Sequence, residues 1–305
     1  MDSNNRYLVT GATGFLGQAC LPFLLKNNSE LIATYHVTQP DFFNPLINFQ
    51  QVDLSNKKQR VALLKKYRPT HLLHLAWHVP PGNFWSSPQN LDWLKISVQL
   101  FQEFCKYGGK RFVGAGTLAE YDWNYEELDE IKTPLQPQTF YGQCKKSTYE
   151  LISLLSHDYD NISIAWGRIG FFFGEKEPTN KLISQLIKKI RRKETINLVH
   201  QDTVRCYSHV RYLGEALYRL LLADCAEGAF NVSSSYPNQL KDIIEYLMKL
   251  MKGASIIKYD NFNYKMSKSI RLIPSVKRLT KAIHFNPPNT LWEDLALMVE
   301  NSCMT

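Results

Sequence analysis

The sequence predicts an α/β fold on a doubly wound parallel sheet, with a smaller, mostly helical part toward the C-terminus. Three observations lead there. Strand-like and helix-like segments alternate along most of the chain. The strand-like segments are continuously apolar, as strands covered on both faces are. A glycine-spaced turn, Gly11-x-x-Gly14-x-x-Gly17, follows the first strand and opens the first helix.

In order, Arg6-Tyr7-Leu8-Val9-Thr10 reads as a strand, and a helix-length stretch runs from Gly14 to about Lys26. Leu31 to Tyr35 is a second strand, and Phe49 to Asp53 a third, ahead of a polar helix from Asn56 to Tyr67. His71-Leu72-Leu73-His74-Leu75-Ala76 is a buried strand, and Lys110 to Ala115 another. Helices are expected over Gln89 to Tyr107 and Thr139 to His157, and a strand begins at Ile162-Ser163-Ile164-Ala165-Trp166. From about Glu175 the pattern loosens. Lys181 to Arg192 is helical, Ile196 to Val199 extended, Arg211 to Leu222 helical and Gly228 to Val232 a strand. Asn238 to Thr305 reads as mostly helical, broken at Pro274 and Pro287-Pro288. The expected division is 1–174, with 200–232 returning to it, against a smaller domain of 175–199 and 233–305. No Gly/Ser linker separates them, so the two are expected to pack together.

The chain of 305 residues is 44% hydrophobic and 21% charged, which excludes a disordered tract. No run of about 18 apolar residues is present. The N-terminus, Met1-Asp2-Ser3-Asn4-Asn5-Arg6, leads straight into a strand with no signal-like region, so a cytoplasmic protein is expected. Cys20, Cys105, Cys144, Cys206, Cys225 and Cys303 show no metal-type spacing and read as reduced thiols. A net charge of +8 suits anionic ligands. The basic run Lys188-Lys189-Ile190-Arg191-Arg192-Lys193 lacks interleaved aromatics and reads as the solvated end of a helix, not a nucleic-acid site.

Glycines in a strand-to-helix turn let backbone approach a pyrophosphate at the helix N-terminus, so the turn reads as a dinucleotide cradle in a Rossmann-type domain. Its candidate residues are Gly11, Thr13, Gly14, Phe15, Leu16 and Gly17. The adenosine ribose is read at the end of the second strand, where an acid selects NAD. Here Tyr35 and His36 stand without an acid, which leans towards NADP, although no arginine is present to grip a 2′-phosphate. Asp53 is a candidate for the adenine, or equally a loop carboxylate. Tyr141 and Lys145, four apart on one helix, share a face. An ammonium near a phenol favours the phenolate and so a proton exchange near neutral pH. Thr117 adds a hydroxyl for the same reacting oxygen. Taken singly, these are an ordinary helix pair and a loop hydroxyl. In this order, after this turn, they are specific. The segment Trp77-His78-Val79-Pro80-Pro81-Gly82-Asn83-Phe84-Trp85 is a substrate-facing loop or a packed surface loop, with His78 a candidate sugar contact.

These motifs together resemble an extended short-chain dehydrogenase/reductase, of the NAD-dependent epimerase/dehydratase group. Thr10 to Gly17 is similar to the family's cofactor turn, Leu73-His74-Leu75-Ala76 to its fourth strand, and Thr117 with Tyr121 to its Ser/Thr-x-x-x-Tyr stretch. Gly167-Arg168 to Gly174, Arg205-Cys206-Tyr207-Ser208-His209-Val210 and Gly228-Ala229-Phe230-Asn231-Val232 are similar to its later motifs. The resemblance implies that Leu54, Leu75 and Ala76 line the cofactor with Asp53. It implies that Tyr141 exchanges the proton, Lys145 lowers its pKa and binds the nicotinamide ribose, and Thr117 orients the carbonyl. It also implies that Arg205 pairs with a substrate diphosphate, a structural ion pair being the alternative.

Departures narrow the reaction. Leu118-Ala119 replace the acid pair of the dehydratases, and Ala119 stands where epimerase-reductases carry a cysteine. Near Phe171 the frequent Asn is absent, and Cys206 replaces an Asp. Ketone reduction needs only the Thr, Tyr and Lys set. The expected activity is therefore NAD(P)H-dependent reduction of a nucleotide-diphosphate-4-keto-6-deoxysugar at C4, with NADP ahead of NAD. The rivals are a nucleotide-sugar 4-epimerase with tightly held NAD, a reductase of a non-nucleotide ketone and, least favoured, a non-enzymatic dinucleotide-sensing or RNA-binding relative. The resemblance also implies a homodimer through helices 89–107 and 139–157.

Overall fold

A parallel sheet of seven strands carries the molecule, in a computed structural model that describes residues 5–27, 30–41, 44–80, 82–198, 203–253, 256–259 and 271–301. Along the chain the strands are β1 (Arg6–Thr10), β2 (Glu30–Tyr35), β3 (Ile47–Gln51), β4 (His71–His74), β5 (Arg111–Thr117), β6 (Glu127–Leu128), β7 (Ser163–Ile169), β8 (Phe171–Phe173), β9 (Ile196–Leu198), β10 (Val204–Arg205), β11 (Tyr207–His209), β12 (Gly228–Val232), β13 (Asn238–Gln239), β14 (Ile257–Tyr259) and β15 (Arg271–Pro274). The α-helices are α1 (Phe15–Leu24), α2 (Lys57–Tyr67), α3 (Gln89–Lys106), α4 (Phe140–Ser156), α5 (Leu182–Arg191), α6 (Val210–Leu222), α7 (Leu240–Leu250), α8 (Lys277–Ile283) and α9 (Leu291–Asn301).

The main sheet runs β12-β7-β5-β4-β1-β2-β3. Strand order reverses between β1 and β4, and a crevice opens there at the strands' carboxyl ends. Alternation along β1 sends Tyr7 and Val9 to one face, against α1 and α6, and Leu8 to the other, among residues of α2 and α3. Gly214 lets α6 cross α1 closely, since a Cβ there would lie 2.4 Å from the Ala19 carbonyl oxygen. Arg60, fully buried, ties α2 to α3 through Glu103, with Nε to Oε2 at 2.8 Å and Nη2 to Oε1 at 3.1 Å. A second core gathers Phe173, Ile196 and Tyr207 with α5, α7 and α9.

Most expected elements appear within a residue or two of their expected ends. The third strand ends at Gln51, two residues early, because the Asp53 carboxylate takes the Ser55 amide at 2.8 Å and turns the chain. β5 continues to Thr117, where Gly114 and Gly116 make room for the Trp166 ring. Pro274 closes β15 and breaks no helix. Leu279 and Ile283 of α8 join the core of the main sheet, although 233–305 was expected to form the smaller domain, because α8 packs on β12. Val199, Pro81, Cys303 and the first residues of the chain lie outside the described residues. Among the described residues no helix is long and apolar enough to cross a membrane.

The two cores meet at β8 and β11, which pair in parallel. His209 ends β11 and caps α6, its Nδ1 accepting the Arg211 amide at 3.2 Å, so Nε2 carries the hydrogen that faces Glu175 Oε2 at 3.0 Å. That hydrogen bond, ahead of other causes, holds the Glu175 carboxyl at about 2, against an ordinary 4.5. A depressed folded-state value contributes stability above the unfolded value and loses it as pH falls toward the folded one. Urea unfolding between pH 4.5 and about 2 should therefore show a smaller loss of stability for Glu175→Gln than for the parent chain. Equal losses would remove this pair from the acid response.

Candidate active site

The glycine turn is shaped by contact with β4. Gly11 adopts φ +71°, and a Cβ there would lie 2.8 Å from the Ala76 nitrogen. A Cβ at Gly17 would lie 2.2 Å from the Gly11 oxygen, so the turn folds onto itself. Gly14 is exposed and caps α1, and the nearest heavy atom to a Cβ there is the Gly11 oxygen at 3.2 Å. Its outer side is therefore open, and the first amides of α1 at Phe15 and Leu16 lack intrahelical partners. An open helix N-terminus behind a backbone cradle fits a dinucleotide pyrophosphate. Thr13 fixes the turn through its carbonyl, which accepts from Gln18 Nε2 at 2.9 Å. Phe15 stacks on Phe172 at 5.5 Å, closing the near end of the crevice.

Leu75 and Ala76 abut Gly11 and hang from Thr10, the Leu75 amide on its carbonyl at 3.2 Å and the Ala76 amide near its hydroxyl at 3.4 Å. That hydroxyl meets buried His74 Nδ1 at 2.7 Å, and His74 Nε2 meets Ser97 at 2.9 Å. Burial pushes His74 down to about 3, so it stays neutral. Tyr35 closes β2 half-buried, His36 is exposed, and neither position carries an acid. Asp53 Oδ1 is committed to Ser55, the loop-carboxylate arrangement, while the Leu54 side chain lies in the core and leaves its backbone toward the loop.

β5 and α4 bring Thr117, Tyr141 and Lys145 together. Thr139 caps α4 by accepting the Gly142 amide at 3.0 Å, and Gly142 packs against the Ala119 backbone. The Thr117 hydroxyl, which accepts the Ala119 amide at 3.2 Å, faces the Tyr141 phenol and works to lower its pKa. The Tyr141 ring sits edge-on among Phe84 at 5.1 Å, Trp85 at 5.7 Å and Trp77 at 6.4 Å. Lys145, 4% exposed, donates to the Ala115 carbonyl at 2.7 Å and lies 3.7 Å from the centre of the Trp77 ring. Burial brings Lys145 down to about 7. It pushes Tyr141 up, above the ordinary phenol value, against the Thr117 hydroxyl. The expected lowering by Lys145 does not appear, since the groups acting on the phenol are Thr117 and Glu120 with burial foremost. The ammonium is held by the Ala115 oxygen and the Trp77 face, and desolvation of the phenol dominates.

Arg205 enters from β10, its guanidinium 5.4 Å from the Phe171 ring and Nη1 donating to the Val204 oxygen at 2.8 Å. Burial lowers its pKa. Cys206 beside it is buried and pushed up to about 12. Cys144 is also buried. His78 is half-buried in the segment after β4. Asn90 pins that segment, taking the Trp77 indole N–H at 2.8 Å and donating to the Phe84 carbonyl at 2.7 Å. Sequence reasoning treated Trp77 only as loop and passed over Glu120. Thr117-Leu118-Ala119-Glu120 has the capping-box pattern, and that signal would have found Glu120. Among the described residues no group of three or more His, Cys, Asp or Glu is placed to hold a metal ion.

A family model described as the NAD dependent epimerase/dehydratase family matches residues 7–233. CDP-abequose synthase of Salmonella muenchen is 21% identical over 264 residues, 85% of each chain. The dTDP-4-dehydro-6-deoxyglucose reductase of Escherichia coli is 24% identical over 273 residues, covering 83% of this chain and 84% of that one. The solved UDP-glucose 4-epimerase of Thermus thermophilus, in complex with NAD, superposes with a TM-score of 0.81 at 20% identity, covering 97% and 98% of the two chains.

Gly11 combines a left-handed backbone with a close backbone neighbour. A side chain there meets a left-handed penalty of about 1–2 kcal/mol and the Ala76 backbone. Gly11→Val should weaken NADH binding, followed by nucleotide fluorescence, by roughly tenfold or more. Unchanged affinity would remove the turn from the cofactor site.

Proposed function

Because this chain belongs to the NAD dependent epimerase/dehydratase family, we propose that it reduces the 4-keto group of a nucleotide-diphosphate-4-keto-6-deoxysugar. The observation that carries the reading is that β5 and α4 bring Thr117, Tyr141 and Lys145 together while Leu118 and Ala119 follow Thr117 in place of an acid pair. Burial keeps the Tyr141 phenol neutral, so at neutral pH it holds a proton to give. Reduction of a ketone needs that proton, whereas abstraction from an alcohol needs the phenolate.

A bound nicotinamide dinucleotide supplies the hydride. The turn from Gly11 to Gly17 and the start of α1 would hold its pyrophosphate, with Leu75 and Ala76 beside them. Thr117 and Tyr141 would bracket the keto oxygen, with Tyr141 giving its phenolic proton to that oxygen. Lys145, near neutrality in its buried seat, replaces the lost proton. Arg205 is assigned to the substrate diphosphate, in keeping with its bidentate chemistry. The smaller lobe, including the core of α5, α7 and α9, is assigned to the substrate.

Elimination of water is disfavoured. Leu118 and Ala119 stand where an acid and base would act, and Glu120 is consumed by three donors. The relative named as a dTDP-4-dehydro-6-deoxyglucose reductase supports the same direction. NADP is taken ahead of NAD because Tyr35 and His36 offer no acid.

Purified protein given NADPH and a panel of nucleotide-4-keto-6-deoxysugars should oxidise NADPH with one member, read at 340 nm. Tyr141→Phe should lose on the order of 10²–10⁴ in kcat while NADPH binding persists. Undiminished turnover in that variant would sink the assignment. Product formed without added nicotinamide, from protein that releases NAD on denaturation, would replace it with the epimerase.

We also infer a homodimer through α3 and α4. Exposed Leu151 and Leu154 on α4, at 42% and 66%, and Leu91 on α3, at 43%, support it. Solution scattering should return twice the chain mass, and a monomer mass would refute it.

A further inference from the structure

We propose that Glu120 is a positioning residue of this centre, a buried counter-charge that keeps the Lys145 ammonium protonated while fixing the backbone of Thr117. Its chemical purpose rests on the reductase reading, but its geometry does not. Glu120 is fully buried. Oε1 accepts the Thr117 amide at 2.9 Å and the Trp166 indole N–H at 2.9 Å, and Oε2 accepts Arg168 Nε at 2.8 Å. A Cβ on Gly116 would lie 2.5 Å from Oε1, so the carboxylate is pressed against the β5 backbone. With three donors in place and no exposure, it has no route to a substrate proton.

Lys145 grips the same strand. Its ammonium is on the Ala115 carbonyl at 2.7 Å, and the Glu120 carboxylate is on the Thr117 amide. Two residues of strand advance about 6.6 Å, so opposite charges flank one short run of buried backbone. The Trp166 ring stands between them, its N–H on Glu120 and its centre 5.9 Å from the ammonium.

The groups around Lys145 are Tyr141 on its own helix, Trp77 beyond β4, neutral His74 on β4, Trp166 on β7 and Glu120. Glu120 is the acid among them. Around Glu120 stand Arg168, Tyr121, Tyr141 and Tyr149. Arg168 Nη1 is turned to the Tyr121 hydroxyl at 3.0 Å, which passes its own hydrogen to Asn231 at 2.8 Å. Loss of the Glu120 charge would leave Lys145 exposed to burial and to Arg168 alone, both of which favour the neutral amine.

The test is an NMR titration of the Lys145 side chain in lysine-labelled protein, assigned with Lys145→Met. The parent midpoint is expected at about 7. Glu120→Gln should lower it by about one unit. Arg168→Gln should raise it. The double variant Glu120→Gln/Arg168→Gln should lie above Glu120→Gln. A purely structural role predicts another order, because a loosened pocket lets every variant drift up toward the solution value of about 10.4. A midpoint unchanged or raised in Glu120→Gln overturns the proposal. If Glu120→Gln does not fold, by circular dichroism, a fall in the midpoint of Arg168→Gln overturns it. In the NADPH assay the alkaline limb should shift with the same order. If the parent chain oxidises no NADPH with any substrate, the reductase reading fails while the titration still decides Glu120.

Discussion

Desolvation at the end of β5 governs this centre. Lys145 and Glu120 are buried and Tyr141 is half-buried, and desolvation moves the amine and the phenol in the directions their chemistry dictates. The phenol holds its proton, the amine comes within reach of neutrality, and the Glu120 carboxylate fills its oxygens with three donors. The glycines of β5 make this possible, because Gly114 and Gly116 admit Trp166 close enough to shut the site from below.

The same strand explains why the site lies where it does. β5 neighbours β4, and the residues just after β4, Leu75 and Ala76, are those against which Gly11 is folded. The crevice between β1 and β4 therefore joins the dinucleotide cradle to Thr117, Tyr141 and Lys145 without any long connection. The second lobe completes the enclosure through Phe172 on Phe15 and through the pairing of β8 with β11.

Much of the main sheet was legible because its strands are locally apolar and its helices carry caps such as Asn56 and Thr139. Gly11 and Gly17 were legible because only glycine fits their contacts. The short strands β6, β8, β10 and β15 were not, since two to four residues carry no period and owe their form to distant partners. The direction of the Tyr141 shift was also hidden. A four-residue spacing shows that two side chains share a helix face, but not that Lys145 turns instead to Ala115 and Trp77. Burial is a property of the assembled site, and no single segment encodes it.

The aromatic surround of Tyr141 has an optical consequence. Trp77 lies against a charged ammonium, and Trp85 stands 6.2 Å from Trp123, so several indoles report on the same few ångströms of space. Displacement of the lysine from the Trp77 face, or a reduced nicotinamide arriving within range to absorb indole emission, alters their fluorescence. The chain thus carries its own spectroscopic probe of occupancy, native and needing no label.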